Sequence, residues 1–469
     1  MFKKIWDNIW FRRLLVFLSA LLLWHGDIPW GIDPKAWQLF VLFIAAILSV
    51  LIDAFSIFVA ALLAMTLAVL FQVLDTTKAF SGFSESFMLL ILSSFLISNG
   101  VVKSGLGKRL ALLLIKKFGH STLRLGYCVI ATDALIGPGV PSNTARSGVL
   151  YPIVRALALD TGSQPEPESR KTTGSYLMML GMVSLSLSSS LWLTAMAANP
   201  ISAGFGAQFG VNMDFGRWIL VSSVPTLLGM LLLPYILYRT FPPAQRNTPE
   251  APLAAAEALR EMGPLSKRET AMAIIFTVMI IFWALANALN LNLAIITFLG
   301  LAAMIIFNVM SIQELQEGGG EALVTFLWFA IMYVLSSALN EMGFMKVIGE
   351  KISGQLVGFS WPVVYVVLIV LYVFIHYLFV SQTAHLLALF GVFLEVGNNA
   401  GVPVVLMVYM LAFATNFFSA LTPQASSANV LFAGSGYLQQ QEVYKQGFLV
   451  TVACLIIYML CSPWILAVG

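Results

Sequence analysis

Charge is the scarcest property of this sequence of 469 residues. Only 10% of the residues are charged and 59% are hydrophobic, whereas about 25% of the residues of a soluble protein are charged. So few charges cannot cover a water-soluble surface, which excludes a soluble globular domain. The net charge of +3 is too small to indicate a nucleic-acid partner.

Residues and motifs with specific chemistry are also scarce. The three cysteines and four histidines lack the spacing of a metal site. The sequence contains no GxxxxGK[ST] phosphate loop, no HExxH motif and no nucleophile elbow, so neither ATP drive nor catalysis has support. We therefore expect no enzymatic activity, metal or other cofactor, and we expect the cysteines to pack in the apolar interior.

Long apolar runs are abundant instead. A bilayer-crossing helix needs about 20 mostly apolar residues, and eleven stretches suggest such helices. This pattern predicts an all-α polytopic membrane protein. The predicted spans are 14–31, 34–53, 55–74, 84–104, 172–210, 215–239, 270–289, 292–311, 323–343, 402–436 and 446–467.

The chain divides into two halves of similar length. After an N-terminal span in residues 1–33, the first half occupies residues 34–240 and the second occupies residues 270–469. The polar, proline-containing segment 241–269 separates them, and we predict that it is a cytoplasmic linker with a short helix.

Lysine and arginine orient the predicted spans. With the amino end inside, the inner side collects nineteen of these residues and the outer side only five. Basic residues are enriched in cytoplasmic loops, so we predict a cytoplasmic amino terminus and an external carboxy terminus. The amino end shows no Ser- and Arg-rich leader, which favours a bacterial inner membrane over a plastid envelope.

The two halves share a motif. SNTAR at 142–146 in the first half matches SQTAH at 381–385 in the second, 239 residues later. Each half then has a broken span, at 191–200 and at 417–427. Because the predicted topology places the two copies in opposite orientations, we predict inverted repeats, an architecture of secondary transporters.

Each motif lies midway along an apolar stretch, 121–158 or 359–398. The first stretch contains Gly137 and Pro138, which do not continue an ordinary helix, and its basic flanks place both ends on the same side. We therefore predict two re-entrant hairpins with the motifs at their tips. Non-helical backbone at membrane depth must face protein or water, so the tips imply a cavity.

A helix that starts at such a tip directs backbone N–H groups into the cavity, which creates an anion site. Two opposed sites suit a molecule with a carboxylate at each end. The alternative is that the polar side chains only cap the hairpin helices. The candidate substrate ligands are Ser142, Asn143, Thr144, Thr194 and Asn199 in the first half and Ser381, Gln382, Thr383, Thr422 and Pro423 in the second.

Two basic residues occupy equivalent positions after the motifs. Arg146 and His385 are predicted to supply fixed positive charge near the site, because an intramembrane arginine is expensive and usually functional. Asp133 is a candidate partner of Arg146, and Arg146 could instead support the hairpin. His376 has no counterpart in the first half, and we interpret it as a packed histidine.

These motifs resemble those of the divalent anion–sodium symporter family over the whole chain after residue 30. SNT at 142–144 matches the first family motif, whereas SQT at 381–383 and TPQ at 422–424 depart from the symporter pattern. The departures affect positions that shape sodium sites in sodium-coupled members. Together, SNTAR and SQTAH resemble the exchanger branch, which includes 2-oxoglutarate/malate translocators and citrate/succinate antiporters.

The resemblance implies a homodimer, a scaffold domain formed by spans one to four and seven to nine, and a transport domain formed by the hairpins and the other spans. It also implies elevator-like movement of the transport domain. Amphipathic stretches at 105–119 and 345–358 would connect the two domains at the membrane interface.

The function expected from these features is exchange of di- or tricarboxylates such as 2-oxoglutarate, malate, succinate or citrate. A sodium-coupled symporter of the same substrates, an anion channel and an intramembrane enzyme remain alternatives. A sodium requirement would distinguish the symporter, whereas saturable counterflow with slow turnover would argue against the channel.

Overall fold

The computed structural model describes residues 8–356 and 358–469. Apart from one isolated bridge between Ser121 and Asn247, the regular structure in those ranges is helical, which confirms the predicted all-α class. Eight described helices of 18 residues or more are apolar enough to cross a membrane, and three shorter apolar helices accompany them.

The helices that precede the linker comprise the N-terminal span and the first half, and most of them overlap a predicted span or the first hairpin. They are α1 (Ile9–His25), α2 (Pro34–Leu51), α3 (Ile57–Leu70), α4 (Thr76–Phe80), α5 (Ser86–Ser104), α6 (Leu106–Phe118), α7 (Thr122–Ile136), α8 (Asn143–Asp160), α9 (Gly174–Leu191), α10 (Ala198–Gln208) and α11 (Phe215–Thr240).

The linker contains one helix, and the second half follows the order of the first. These helices are α12 (Glu250–Met262), α13 (Lys267–Leu285), α14 (Leu293–Ile306), α15 (Ile312–Glu341), α16 (Phe344–Gly354), α17 (Trp361–Ile375), α18 (Gln382–Asn399), α19 (Val404–Phe417), α20 (Asn429–Ala433), α21 (Gln440–Leu460) and α22 (Ser462–Val468).

Two predicted boundaries were wrong because polar caps, not hydropathy, decide where a helix begins. Helix α1 starts at Ile9, where the Asn8 side chain accepts a hydrogen bond from Trp10 N–H. Helix α15 starts eleven residues before the predicted span at 323, at a capping box in which Ser311 and Glu314 bond reciprocally. Such boxes satisfy N–H groups that a helix start leaves unpaired.

A glycine in the left-handed conformation follows the equivalent spans α5 and α15. Gly105 has φ 81° and Gly343 has φ 78°, a region that side chains with a Cβ rarely occupy. Directly after each glycine the chain continues as an amphipathic helix, α6 or α16. Both predicted amphipathic segments are thus helical over most of their length; residue 357 of the second lies outside the described residues.

The described contacts divide most of the helices into two groups. The first, here called the outer group, contains α1–α3, α5 and α13–α15; the second, here called the hairpin group, contains α7–α11 and α17–α22. Helix α9 packs against both arms of the first hairpin, and α19 packs against both arms of the second. The groups meet where α10 contacts α5 and where α18 contacts α15.

Candidate functional site

A polar cavity of about 240 Å³ lies where the two groups meet. Most of its wall comes from the two hairpin tips and the two broken spans, and the outer group contributes two aromatic rings. Among the described lining residues, no side chain carries a full charge. The cavity is lined by Phe95, Pro141, Ser142, Asn143, Thr144, Met196, Ala197, Phe329, Val380, Ser381, Gln382, Thr383, Ser426 and Ser427.

Two helices begin at this cavity. Ser142 caps α8 by accepting a hydrogen bond from Ala145 N–H at 3.2 Å, and Ser381 caps α18 by accepting one from Ala384 N–H at 3.3 Å. The other N–H groups of each first turn have no carbonyl partner within the helix. Two positive helix ends therefore converge on one cavity, as the paired motifs predicted.

A direct hydrogen bond joins the two motifs. The Asn143 side chain donates to Gln382 Oε1 at 3.2 Å, and these residues occupy equivalent positions in the two halves. Gln382 Nε2 donates in turn to the Thr415 carbonyl at 2.7 Å. Thr144 Oγ1 lies 2.7 Å from Ser427 Oγ. The first hairpin tip is thus bonded both to the second tip and to the broken span.

Arg146 lies behind the first tip with no exposed surface. Its guanidinium forms an ion pair with Asp133 at 3.1 Å, and Asn143 Oδ1 and the hydroxyls of Ser188 and Ser189 also accept from it. The predicted partner was therefore correct. The fixed charge predicted at Arg146 is thus compensated by the Asp133 carboxylate.

His385, the equivalent residue of the second half, has different surroundings. Its Nδ1 lies 3.1 Å from His376 Nδ1, and His376 Nε2 lies 2.9 Å from the Ala425 carbonyl oxygen. Both histidines are fully buried, and the rings of Tyr372 and Phe418 pack against His385. The interpretation of His376 as a packed residue is confirmed, but it packs against the other candidate.

Four predicted ligands lie near the cavity without lining it. Thr194 is buried, and its hydroxyl donates to the Pro138 carbonyl at 2.8 Å. Asn199 is also buried. Thr422 and Pro423 lie on the second broken span just before the lining residues. Of these four, Thr194 supports the first hairpin tip directly through its bond to Pro138.

The asparagines after the two breaks make the same contacts. The Asn199 amide donates to carbonyls ten and seven residues earlier, at Ser189 and Trp192. The Asn429 amide likewise donates to carbonyls ten and seven residues earlier, at Ser419 and Thr422. Each amide thus supplies a donor to a carbonyl that the broken helix would otherwise leave unpaired, at Ser189 or Ser419.

The sequence analysis missed the serines that complete the site. Ser426 and Ser427 line the cavity, while Ser188 and Ser189 bond Arg146. A signal was available in the serine-rich run 184–190 within an apolar helix and in the serine pair after the second break. Phe95 and Phe329 carried no such signal, because an aromatic residue within a span usually packs or faces lipid.

The apolar helices define a multi-pass membrane protein, and its family and relatives are transporters. Residues 7–468 match the family model described as the sodium:sulfate symporter transmembrane region. The chain belongs to this divalent anion–sodium symporter family, as the resemblance had indicated.

Known relatives extend over nearly the whole chain. "Dicarboxylate transporter 2, chloroplastic" of Spinacia oleracea is 35% identical over 94% of this chain and 78% of its own length. The "L-tartrate/succinate antiporter" of Escherichia coli O6:K15:H31 is 29% identical over 93% of this chain and 94% of its own. The solved structure of MtrF from Neisseria gonorrhoeae shares the fold, with a TM-score of 0.61, 15% identity, and coverage of 96% of this chain and 97% of that one.

Proposed function

We propose that this protein is a secondary antiporter that exchanges small dicarboxylates across a bacterial inner membrane. The observation that carries the proposal is the meeting of two helix N-termini at one uncharged polar cavity, joined by the Asn143–Gln382 hydrogen bond. Helix N-termini attract anions, and two of them match the two carboxylates of one molecule. The names of the spinach and Escherichia coli relatives support this substrate class.

The cavity suits a small acid. Its volume of about 240 Å³ is below the range of roughly 300–1,000 Å³ typical of sites for drug-sized ligands. Hydroxyl and amide groups, including Thr144, Thr383 and Ser427, can donate to carboxylate oxygens without a fixed counter-charge. Neutral donors bind an anion firmly enough to select it and still allow its release.

The buried contacts of Arg146 argue for transport without sodium. Its guanidinium fills the polar space behind the first tip, bonded to Asp133, Asn143 and the serines of α9. Because the guanidinium group and its partners occupy this polar space, no room is left there for a soluble cation. The alternative, a sodium-coupled symporter of the same substrates, is tested by the experiment below.

Obligate exchange follows from the rings that face the site. Phe95 on α5 and Phe329 on α15 present apolar surface to the hairpin tips. When an empty site moves past these rings, its unpaired donors lose their bound water. This loss costs about 1–3 kcal/mol for each donor. A bound dicarboxylate satisfies the same donors, so the loaded site crosses and the empty site does not.

The movement we propose is elevator-like. The outer group would act as the scaffold and the hairpin group as the transport domain, with the amino terminus in the cytoplasm and two copies in a homodimer. The shared motifs and the matching amide contacts of Asn199 and Asn429 support inverted repeats. Substrate then biases which orientations interconvert.

The test is uptake of radiolabelled succinate into proteoliposomes. The vesicles contain 2-oxoglutarate, malate, citrate or nothing, and each is assayed with and without a sodium gradient. We expect uptake only into loaded vesicles, indifferent to sodium. Sodium-driven uptake into empty vesicles would instead establish the symporter.

A matched pair of variants links transport to the cavity. Thr383→Val removes a hydroxyl from the cavity wall, whereas Thr277→Val removes an exposed hydroxyl on α13 whose only described bond is to its own helix. We expect the first variant to weaken succinate binding and the second to match the unmodified protein. Equal behaviour of both variants would place the substrate elsewhere.

A further inference from the structure

The second hairpin contains a pair of histidines that the exchange mechanism above does not use. His376 directly follows the last residue of α17, and His385 lies in the first turn of α18. Their Nδ1 atoms are 3.1 Å apart. Neither has exposed surface. The pair has no counterpart in the first hairpin, where position 137 is a glycine.

The hydrogen bonds determine where the protons lie. A carbonyl oxygen only accepts, so His376 Nε2 carries a proton and donates it to Ala425. Neutral His376 then presents a lone pair at Nδ1, and the contact requires that His385 Nδ1 carries the second proton. Neutral His385 therefore has an unprotonated Nε2, and this buried atom has no hydrogen-bond partner among the described residues.

This arrangement has room for one additional proton. A proton on His385 Nε2 makes His385 an imidazolium and leaves both existing hydrogen bonds intact. A second one, on His376 Nδ1, would place two N–H groups against each other at 3.1 Å. The pair can therefore be neutral or singly charged.

His385 is fully buried without a counter-charge, which keeps the ring neutral while the cavity is empty. The surrounding aromatic rings are the groups that can stabilise a single charge. Tyr372, Phe379 and Phe418 enclose His385, with ring centroids 4.4, 4.8 and 4.7 Å away, and aromatic rings attract cations. The titratable groups in contact with His385 are His376 and Tyr372. In the described part of the chain, no carboxylate lies within ion-pairing distance of either histidine.

Both ends of the pair are connected to the cavity. Ala425, which accepts from His376, precedes the cavity residues Ser426 and Ser427. On the other side, Gln382 donates to the Thr415 carbonyl, and the Thr415 hydroxyl lies 2.8 Å from Tyr372 OH. A charge in the cavity and a charge on His385 therefore act on the same few residues.

We propose that His385 Nε2 is a proton-binding site that loads when a dicarboxylate dianion enters the cavity, so that one proton accompanies the substrate. The proposal rests on the proposed function, because it requires a dianion in the cavity. The attraction between dianion and imidazolium is reciprocal: substrate binding increases proton occupancy, and a lower pH increases substrate affinity by the same coupling.

The first test counts protons. Binding of malate to the purified protein is measured by calorimetry in buffers of different ionisation enthalpy, at a pH where malate itself is fully ionised. The slope of the measured enthalpy against the buffer enthalpy gives the number of protons taken up. We expect a value between zero and one that falls to zero in His385→Gln. We expect His120→Gln, which changes an exposed histidine, to keep the original value.

The same variants are compared by affinity. From about pH 6 to 8, where malate is a dianion, a proton that binds together with malate raises the malate Kd by up to tenfold per pH unit as the pH increases. We expect this slope in the unmodified protein and in His120→Gln, and a flat profile in His385→Gln. If His385→Gln does not fold, the proton count of the unmodified protein decides the question alone.

The third readout needs no substrate. In a His25→Gln/His120→Gln background only the pair remains, since the chain has four histidines, and ¹⁵N magnetic resonance distinguishes their tautomers. We expect the Nε2–H form of His376 and the Nδ1–H form of His385, with His385 doubly protonated after malate is added. Malate binding without proton uptake would overturn the proton site and leave the transporter intact. Absence of both malate binding and counterflow would overturn the proposed function as well.

Discussion

The two hairpins share a backbone arrangement, but the charged and titratable side chains buried behind their tips differ. In each, a serine caps a helix that begins at the cavity, and a basic residue follows four positions after that serine. In the first hairpin, Arg146 is permanently charged and paired with Asp133. In the second, His385 is enclosed by aromatic rings and bonded to another histidine.

The difference shows that a shared motif determines where a side chain points but not what it does. The motifs place Arg146 and His385 in equivalent positions, and the neighbouring helices decide their charge. Helix α9 supplies serine hydroxyls around the first residue, whereas α17 supplies Tyr372 beside the second. One core therefore contains a fixed ion pair, and the other can change its charge.

The largest effect is expected when the fixed pair is broken. Asp133→Asn leaves the Arg146 guanidinium buried without its counter-charge, and we expect a loss of about 3–5 kcal/mol in the free energy of unfolding. Thermal unfolding in detergent measures the loss. The double variant Asp133→Asn/Arg146→Gln should recover much of the stability, since it removes both charges. A single variant as stable as the original would show that the pair is not needed.

A smaller effect is expected at the amides that hold the broken spans. Asn199→Ala and Asn429→Ala leave the Ser189 and Ser419 carbonyls, respectively, without a donor, and we expect each variant to lose about 1–3 kcal/mol of stability. Asn199 should lose slightly more, because its Oδ1 also accepts from Asn416. The unfolding midpoints of the two variants, measured side by side, show whether the two broken spans are stabilised to a similar extent. A large effect in only one half would contradict the equivalence of the breaks.

The bond between the two tips should matter more for binding than for folding. In Gln382→Asn the shorter side chain cannot reach both Asn143 and the Thr415 carbonyl, which it now does. We expect succinate affinity to fall by roughly tenfold, about 1.4 kcal/mol, as measured by calorimetry. Gln313→Asn, the same change at an exposed position on α15, serves as the control and should leave the affinity unchanged.

The smallest effect compares the threonines of the two motifs. Thr144→Val loses the bond to Ser427 and should lower succinate affinity by about 0.5–1.5 kcal/mol. Thr383→Val loses only a cavity hydroxyl for which no bond to the protein is described, so we expect it to affect binding but not stability. Thermal unfolding in detergent measures the stability of both variants. Equal losses would mean that the bond between Thr144 and Ser427 contributes nothing specific to stability.

Much of the site could be predicted from the sequence because local patterns encode it. The interruption at Gly137 and Pro138 broke the helix before the first motif, and polar residues after the break indicated a helix start. The sequence did not show which predicted ligands would line the cavity, and Thr194, Asn199, Thr422 and Pro423 do not. Thr194 and Asn199 instead bond backbone carbonyls, contacts that no local pattern encodes.

By itself, the sequence determined the all-helical membrane class, the positions of the spans and breaks, and the pairing of the two motifs. Hydropathy, proline and glycine act over a few residues, so they can be interpreted without the fold. Only the tertiary structure decided that Arg146 is neutralised, that His376 meets His385, and that Phe95 and Phe329 face the cavity. Those outcomes depend on contacts between helices distant in the chain, and the strength of a charge or a hydrogen bond depends on what surrounds it.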